Sequence, residues 1–203
     1  MIDSKAFPVG CVVMAAGNAE RFGRNKLLAD VDGKSMLMRA LEAVPADRLS
    51  CVVVVTQYKE AEALARSFGF HCVRNEHPEL GQSLSVRLGT EALRDSCRAI
   101  IYQVADQPLL RRQSVAALAD LCRVNPDRIV ALSHGGVRGN PCAFPREFFP
   151  ELCALTGDRG GSAVIRRHED RLLLLEVGEA ELADVDTPEA LRKLKTITET
   201  DRP

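Results

Sequence analysis

The chain carries almost no net charge. Across 203 residues, 27 Lys and Arg stand against 28 Asp and Glu, a balance of −1. Near neutrality removes the broad attraction that draws proteins to nucleic acid or anionic membrane, so neither is expected as a partner and any basic site must be local. No apolar run is long enough to span a bilayer. The run Val9–Gly17 might pass for a leader's apolar region. It is preceded by Asp3 and Pro8, however, and followed by Glu20, Arg21 and Arg24 where a cleavage site needs small residues. It reads as a buried strand. The seven cysteines are odd in number, and no two have metal-ligand spacing. Cysteine in apolar strands acts as a small hydrophobe, which suits a reducing cytoplasm better than a secreted disulfide scaffold. The four histidines (His71, His77, His134, His168) form no nucleophile or zinc pattern, and there is no G-x-S-x-G elbow. No covalent catalyst stands out.

What is present is a 46% hydrophobic composition, enough for a packed core, in a length that suits one domain over 1–203. Its core is expected over about 9–194, with a tail at 198–203. Apolar runs alternate with helical patterns. Strands are expected at Val9–Ala15, Cys51–Thr56, His71–Arg74, Ala99–Val104, Ile129–Leu132, Pro141–Phe144 and Arg171–Val177. Helices are expected from a Ser35 cap through Leu41, and over Lys59–Ser67, Ser83–Leu93, Ser114–Cys122, Glu147–Leu155, Ser162–His168 and Pro188–Leu194. This order implies an α/β domain with a mostly parallel sheet.

Ligands bind such sheets at the carboxyl ends of strands. The segments that follow the expected strands are "AAGNAERFGRNK", "TQYKE", "RNEHPELGQS", "ADQP", "RGNP" and "ADVDTP". The first is neither a Walker A site nor a dinucleotide fingerprint: five residues separate Gly17 from Gly23, and Lys26 is not adjacent to Gly23. Gly17 still permits close backbone approach to a ligand, and Arg21, Arg24 and Lys26 supply cations for phosphate. A solvated basic loop explains the same residues equally well. "DGKS" (32–35) reads as a turn plus a helix cap. Gly81, Gln82 and Ser83 stand at a helix start, where Ser83 or Ser85 as cap is the simpler reading and exposed N–H groups reading a base edge the other. Asp106 follows a buried strand, placed to bind a metal or to form an Asx-turn. Asp184 and Asp186 share one side of an extended segment, though Asp186 also fits a helix cap. If the two loops meet, Asp106 and Asp186 can share a Mg²⁺, which prefers carboxylate, water and phosphate oxygens.

Taken together, "AAGNAERFGRNKLL", "DGKSML", "NEHPELGQSLSVRLG", "ADQP", "RGNPCAF", "LTGDRGGSAVI" and "DVDTPEAL" resemble the MobA-like nucleotidyltransferases in order and spacing, from about Val9 to Leu194. Within that family the resemblance is strongest to the molybdenum cofactor cytidylyltransferases. It implies a Rossmann-like three-layer α/β sandwich of the nucleotide-diphospho-sugar transferase type. The implied reaction moves a nucleoside monophosphate from an NTP to a phosphorylated acceptor and releases pyrophosphate. Carried onto this chain, the resemblance places Ala15, Ala16 and Gly17 on the nucleotide and Arg21 and Lys26 on its phosphates. Gly81, Gln82 and Ser83 fall at the base, and Asp106 and Asp186 at Mg²⁺. Lys26, Arg21 and Asp106 are then the catalytic set. Asn140, Pro141, Asp158 and Gly160 fall at the acceptor. The "AAG" opening favours CTP as donor, molybdopterin is the implied acceptor, and a molybdoenzyme or its chaperone is the implied protein partner. Asn18, Ala19, Glu20 and Ala190 depart from the family's usual residues. Another acceptor (a sugar or alditol phosphate, an isoprenoid precursor, phospholactate) and a non-catalytic nucleotide-binding module are the competing readings.

Overall fold

The computed structural model describes residues 7–17, 25–187 and 189–192. Their chain order is β1 (Val9–Ala15), β2 (Asp30–Val31), β3 (Lys34–Ser35), α1 (Met36–Glu42), β4 (Cys51–Thr56), α2 (Lys59–Ser67) and β5 (His71–Arg74). There follow α3 (Gln82–Leu93), β6 (Ala99–Val104), α4 (Arg112–Val124), β7 (Ile129–His134), β8 (Val137–Pro145), α5 (Phe149–Cys153), α6 (Ser162–Ile165) and β9 (Leu172–Glu176). Seven strands form one sheet in the order β5-β4-β1-β6-β8-β7-β9, and β2 and β3 make a small hairpin. All neighbours in the large sheet are parallel except those of β8, which runs against both β6 and β7.

Helices cover both faces, which is why the central strands are unbroken apolar runs. Side chains alternate across β1. Cys11 and Val13 pack with Leu37, Leu41, Ala61, Ala65 and Leu118 on the face of α1, α2 and α4. Val12 packs with Val86, Leu93, Leu152 and Val164 on the face of α3, α5 and α6. Two dry layers of this kind, at about 1.5–3 kcal/mol per buried Val or Leu, hold the sheet between the helices.

Several expected elements occur within the expected bounds: β1, β4, α2, β5 and β6. Ser35 caps α1, its Oγ accepting from Met38 N at 3.2 Å. Others differ. Helix α3 begins at Gln82, so neither Ser83 nor Ser85 caps it. "RGNP" is not a loop after a strand but the first half of β8. The expected helix 147–155 is a 3-10 turn, Arg146–Phe148, followed by the short α5, because Pro150 lacks the N–H that would continue one helix. Helix α6 is short because its end tightens to 3-10 bonds, Arg167 N to Val164 O and His168 N to Ile165 O, both 3.0 Å. Residues 189–192 are helical. Pro188 and residues 193–194 of the expected closing helix, and the expected tail, lie outside the described residues.

Strands β4 and β5 lie to one side of β1, and β6, β8, β7 and β9 to the other. The chain order thus reverses between β1 and β6, the point at which such sheets open a crevice at their carboxyl ends. No helix among the described residues is long and apolar enough to cross a membrane.

Candidate active site

A cleft of about 680 Å³ opens at that reversal point. The loop after β1 contributes Ala15, Ala16, Gly17 and Lys26, the start of α3 contributes Gly81 and Gln82, and the end of β6 contributes Asp106. Asp158 and Asp186 reach it from far along the chain. Most residues expected for nucleotide and metal therefore meet in one place. Arg21, like Glu20 and Arg24, lies outside the described residues.

Lys26 is aimed by its neighbours. Asn25 Oδ1 accepts from Leu27 N at 3.1 Å, starting a 3-10 turn over Lys26–Leu28, and Leu27 is buried in the core below. The Lys26 ammonium then lies 2.8 Å from Asp106 Oδ2 and 2.7 Å from Asp186 Oδ1. Burial alone would lower the Lys26 pKa, but the two carboxylates outweigh it and hold the pKa above its ordinary value. The second Asp106 oxygen, Oδ1, is buried without a hydrogen-bond partner among the described residues.

The segment carrying Asp186 is fixed to β6's exit. Val185 N donates to Asp106 O at 2.9 Å, and Val185 itself is buried. Gln107 Nε2 donates to Leu182 O at 3.1 Å and to Asp184 Oδ1 at 2.9 Å. Loss of water around Asp184, with the Asp106 carboxylate beside it, raises its pKa above the ordinary value. The helix-cap reading of Asp186 gives way, because Thr187 Oγ1 accepts from Ala190 N at 3.1 Å and fills that role. Asp186 faces the cleft, whereas Asp184 is occupied by Gln107 behind it.

Three side chains absent from the expected site order its first loop. Thr56 Oγ1 donates to Ala15 O at 3.0 Å, Gln57 Nε2 to Ala16 O at 2.9 Å, and Tyr58 Oη to Gly17 O at 3.0 Å. Successive residues from the end of β4 thus hold successive carbonyls from the end of β1. In a trans peptide the N–H opposes the C=O, so the N–H groups of Ala16 and Gly17 are turned away from β4. The sequence signal was the polar "TQY" directly after an apolar strand.

The start of α3 is built against the loop 157–160. Ser83 N donates to Gly157 O at 3.2 Å, and Asp158 Oδ1 accepts from Gln82 N at 3.4 Å. Asp158, 76 positions away, thereby supplies the cap that Ser83 does not. Gly160 packs directly on Gln82, since a Cβ there would sit 2.2 Å from its Oε1. Ser83 is buried behind the cleft wall. Of the residues expected at the acceptor, Asp158 lines the cleft; Gly160 stands behind Gln82, and Asn140 and Pro141 lie in β8 beyond its last pair with β6, Tyr102–Cys142.

The donor set suits a divalent cation of the magnesium type. Asp106 and Asp186 offer carboxylate oxygens that already share one cation, and Asp106 Oδ1 lacks a hydrogen-bond partner among the described residues. No group of three or more candidate ligands occurs among the described residues. Magnesium is commonly held by one or two carboxylates with water and phosphate completing the shell, so two are enough.

Residues 11–172 match the MobA-like NTP transferase domain. The chain belongs to that family, whose members are nucleotidyltransferases. It is 28% identical to the purine catabolism protein PucB of Bacillus subtilis, over 88% of this chain and 91% of that one. It is 24% identical to the 3-deoxy-manno-octulosonate cytidylyltransferase of Francisella philomiragia, over 52% of this chain and 43% of that one. A Mycobacterium tuberculosis protein, crystallised in complex with manganese, superimposes with a TM-score of 0.74 at 22% identity, covering 93% of this chain and 98% of its own. Matches of both the cytidylyl-transferring and the guanine-dinucleotide-forming kind occur.

Proposed function

We propose that this family member transfers CMP from CTP to the phosphate of a molybdopterin-type acceptor and releases pyrophosphate. The observation that carries the reading is the Lys26 ammonium held between Asp106 and Asp186 at the crevice between β1 and β6. In this reading the chain positions phosphates and neutralises charge and forms no covalent intermediate. The backbone of Ala15, Ala16 and Gly17 follows the triphosphate, its carbonyls turned aside by Thr56, Gln57 and Tyr58. Gly81 and Gln82 face the base. An oxygen of the acceptor phosphate attacks the α-phosphorus in line with the departing pyrophosphate. Lys26 and Arg21 carry the charge that grows on that leaving group.

Asp106 and Asp186 would hold Mg²⁺, which supplies neutralisation of phosphate charge and polarises the phosphorus. The manganese complex of the Mycobacterium tuberculosis protein is consistent with use of a divalent ion. The "AAG" opening and the Francisella cytidylyltransferase support CTP. The acceptor rests on the resemblance of the seven motifs.

The test is pyrophosphate release with each of the four NTPs, Mg²⁺ and molybdopterin. Turnover with CTP is expected. Turnover with GTP alone would overturn the donor, and turnover only on a sugar or alditol phosphate would overturn the acceptor. CTP binding with no turnover on any acceptor would replace the enzyme with a binding module.

A further inference from the structure

At the amino ends of the central strands, Cys51 opens β4 and Cys97 stands between α3 and β6, with their sulfurs 3.2 Å apart. A disulfide needs about 2.05 Å, so roughly 1.2 Å of approach remains. The two strands they serve are not neighbours, since β1 lies between β4 and β6. Gly10 of β1 is in register with Cys51 on one side and Ile100 on the other. A Cβ on Gly10 would lie 2.7 Å from Cys97 Sγ and 3.4 Å from Cys51 Sγ. The missing side chain is what lets the two thiols meet across the strand. Cys97 is buried and Cys51 half-buried. One sulfur is thus open to a small oxidant and the other waits behind it. The hydrogen bond between the two sulfurs, in which either can donate, lowers the Cys51 pKa to about 7, against the opposing effect of burial. The same contact, with burial, raises that of Cys97.

We propose that Cys51 and Cys97 form a peroxide-sensitive dithiol that closes into a disulfide across β1. The Cys51 thiolate attacks a peroxide oxygen, giving a sulfenic acid while the second oxygen leaves as water after taking a proton. The Cys97 sulfur then attacks Cys51, its proton leaves with the displaced hydroxyl as a second water, and the S–S bond forms. Two thiols are oxidised by two electrons in all, and one peroxide is reduced. The bond closes a loop over the 45 residues between the two cysteines. It ties together the three strands whose far ends carry Gly17, Thr56 and Asp106, without touching the cleft.

The full chain is treated with hydrogen peroxide, blocked with N-ethylmaleimide and digested without reduction. The expected result is one pair of peptides linked through Cys51 and Cys97, with an intact mass lower by about 2 Da, the two thiol hydrogens, and reversal by dithiothreitol. The unfolding midpoint should rise by roughly 5–10 °C on oxidation, as a long closed loop implies. Cys51→Ser should abolish the linked pair and leave the midpoint of the reduced protein nearly unchanged. A bond through any other cysteine overturns the proposal. So does Cys51 proceeding to sulfinic acid with Cys97 still alkylated, or both thiols surviving peroxide. The peptide map of the unaltered chain decides the matter even if the variant does not fold.

Discussion

The Lys26 ammonium lies 2.7 Å from a carboxylate oxygen of Asp186, a residue 160 positions away in the sequence. The same nitrogen is 2.8 Å from Asp106 Oδ2, so one cation joins the first loop, the exit of β6 and the C-terminal segment. Removing it leaves two carboxylates facing each other and, in the proposed reaction, takes away one of the charges assigned to the departing pyrophosphate. Lys26→Met is expected to lower kcat by about 100-fold or more, the usual scale for one charge-stabilising group in a water-poor site. Pyrophosphate release measures it. A rate within threefold of wild type would remove Lys26 from the mechanism.

Asp106→Asn keeps the side chain's size and deletes its charge. Lys26 retains Asp186, so the fold should hold, while the divalent ion of the proposed site loses one of its two carboxylates. Manganese titrated without nucleotide should bind at least about tenfold more weakly, and turnover should fall by about 100-fold. Unchanged manganese affinity would place the ion elsewhere.

The central strands and the first helix were legible because unbroken apolar runs and a Ser35 cap are local signals. Lys26, Asp106 and Asp186 were singled out by their places just beyond apolar strands, where a solvated loop, an Asx-turn and a helix cap explained them as well; the structure brings the three side chains together. What stayed hidden depends on distant partners. Asp158 caps α3 from 76 positions away, which no local pattern announces. "RGNP" looked like a loop because Gly and Pro usually break strands, yet it lies in β8, where Arg138 pairs with Ser133 and residues 139–141 fall in the register shift before Cys142. The "TQY" carbonyl clamp needed the pairing of β4 beside β1 before it had a meaning.

Two glycines of the cleft should respond oppositely to alanine. Gly81 has φ 85°, and a Cβ on it would sit 2.6 Å from the carbonyl of Gly157 and 2.7 Å from Asp158 N. Backbone cannot yield as a side-chain tip does, so Gly81→Ala should cost about 2–4 kcal/mol of stability. A Cβ on Gly17 meets nothing within 4 Å among the described residues, and Gly17→Ala should leave the unfolding midpoint unchanged. Equal midpoints for the two variants in a denaturant titration would contradict the contact between α3 and the 157–160 loop.

Glu176 closes the β7–β8 hairpin. Its Oε2 accepts from Ser133 Oγ at 2.8 Å, and its Oε1 accepts from Gly135 N. The Ser133 bond, with help from those backbone N–H groups, lowers its pKa below 4.5. A lowered carboxylate pKa contributes stability that is present above the unfolded value and is lost as pH falls through the folded one. The midpoint gap between wild type and Glu176→Gln should therefore be constant above about pH 5 and shrink below pH 4.5. A gap that persists unchanged into acid would mean the carboxylate's charge contributes nothing.

Tyr58→Phe isolates the clamp on the first loop. The change removes the Oη that donates to Gly17 O at 3.0 Å and keeps the ring that packs against the core. Thr56 and Gln57 still hold the carbonyls of Ala15 and Ala16, so β1 and its pairing with β4 remain. The freed Gly17 carbonyl loosens the end of the loop backbone that follows the triphosphate in the proposed reaction, which weakens nucleotide binding by about one hydrogen bond, or roughly 1 kcal/mol. KM for the nucleotide should then rise about fivefold while kcat, assigned in that reading to Lys26 and Asp106, stays within twofold. A purely structural hydroxyl would instead lower the unfolding midpoint and leave KM alone, so the two measurements made on one variant separate the alternatives.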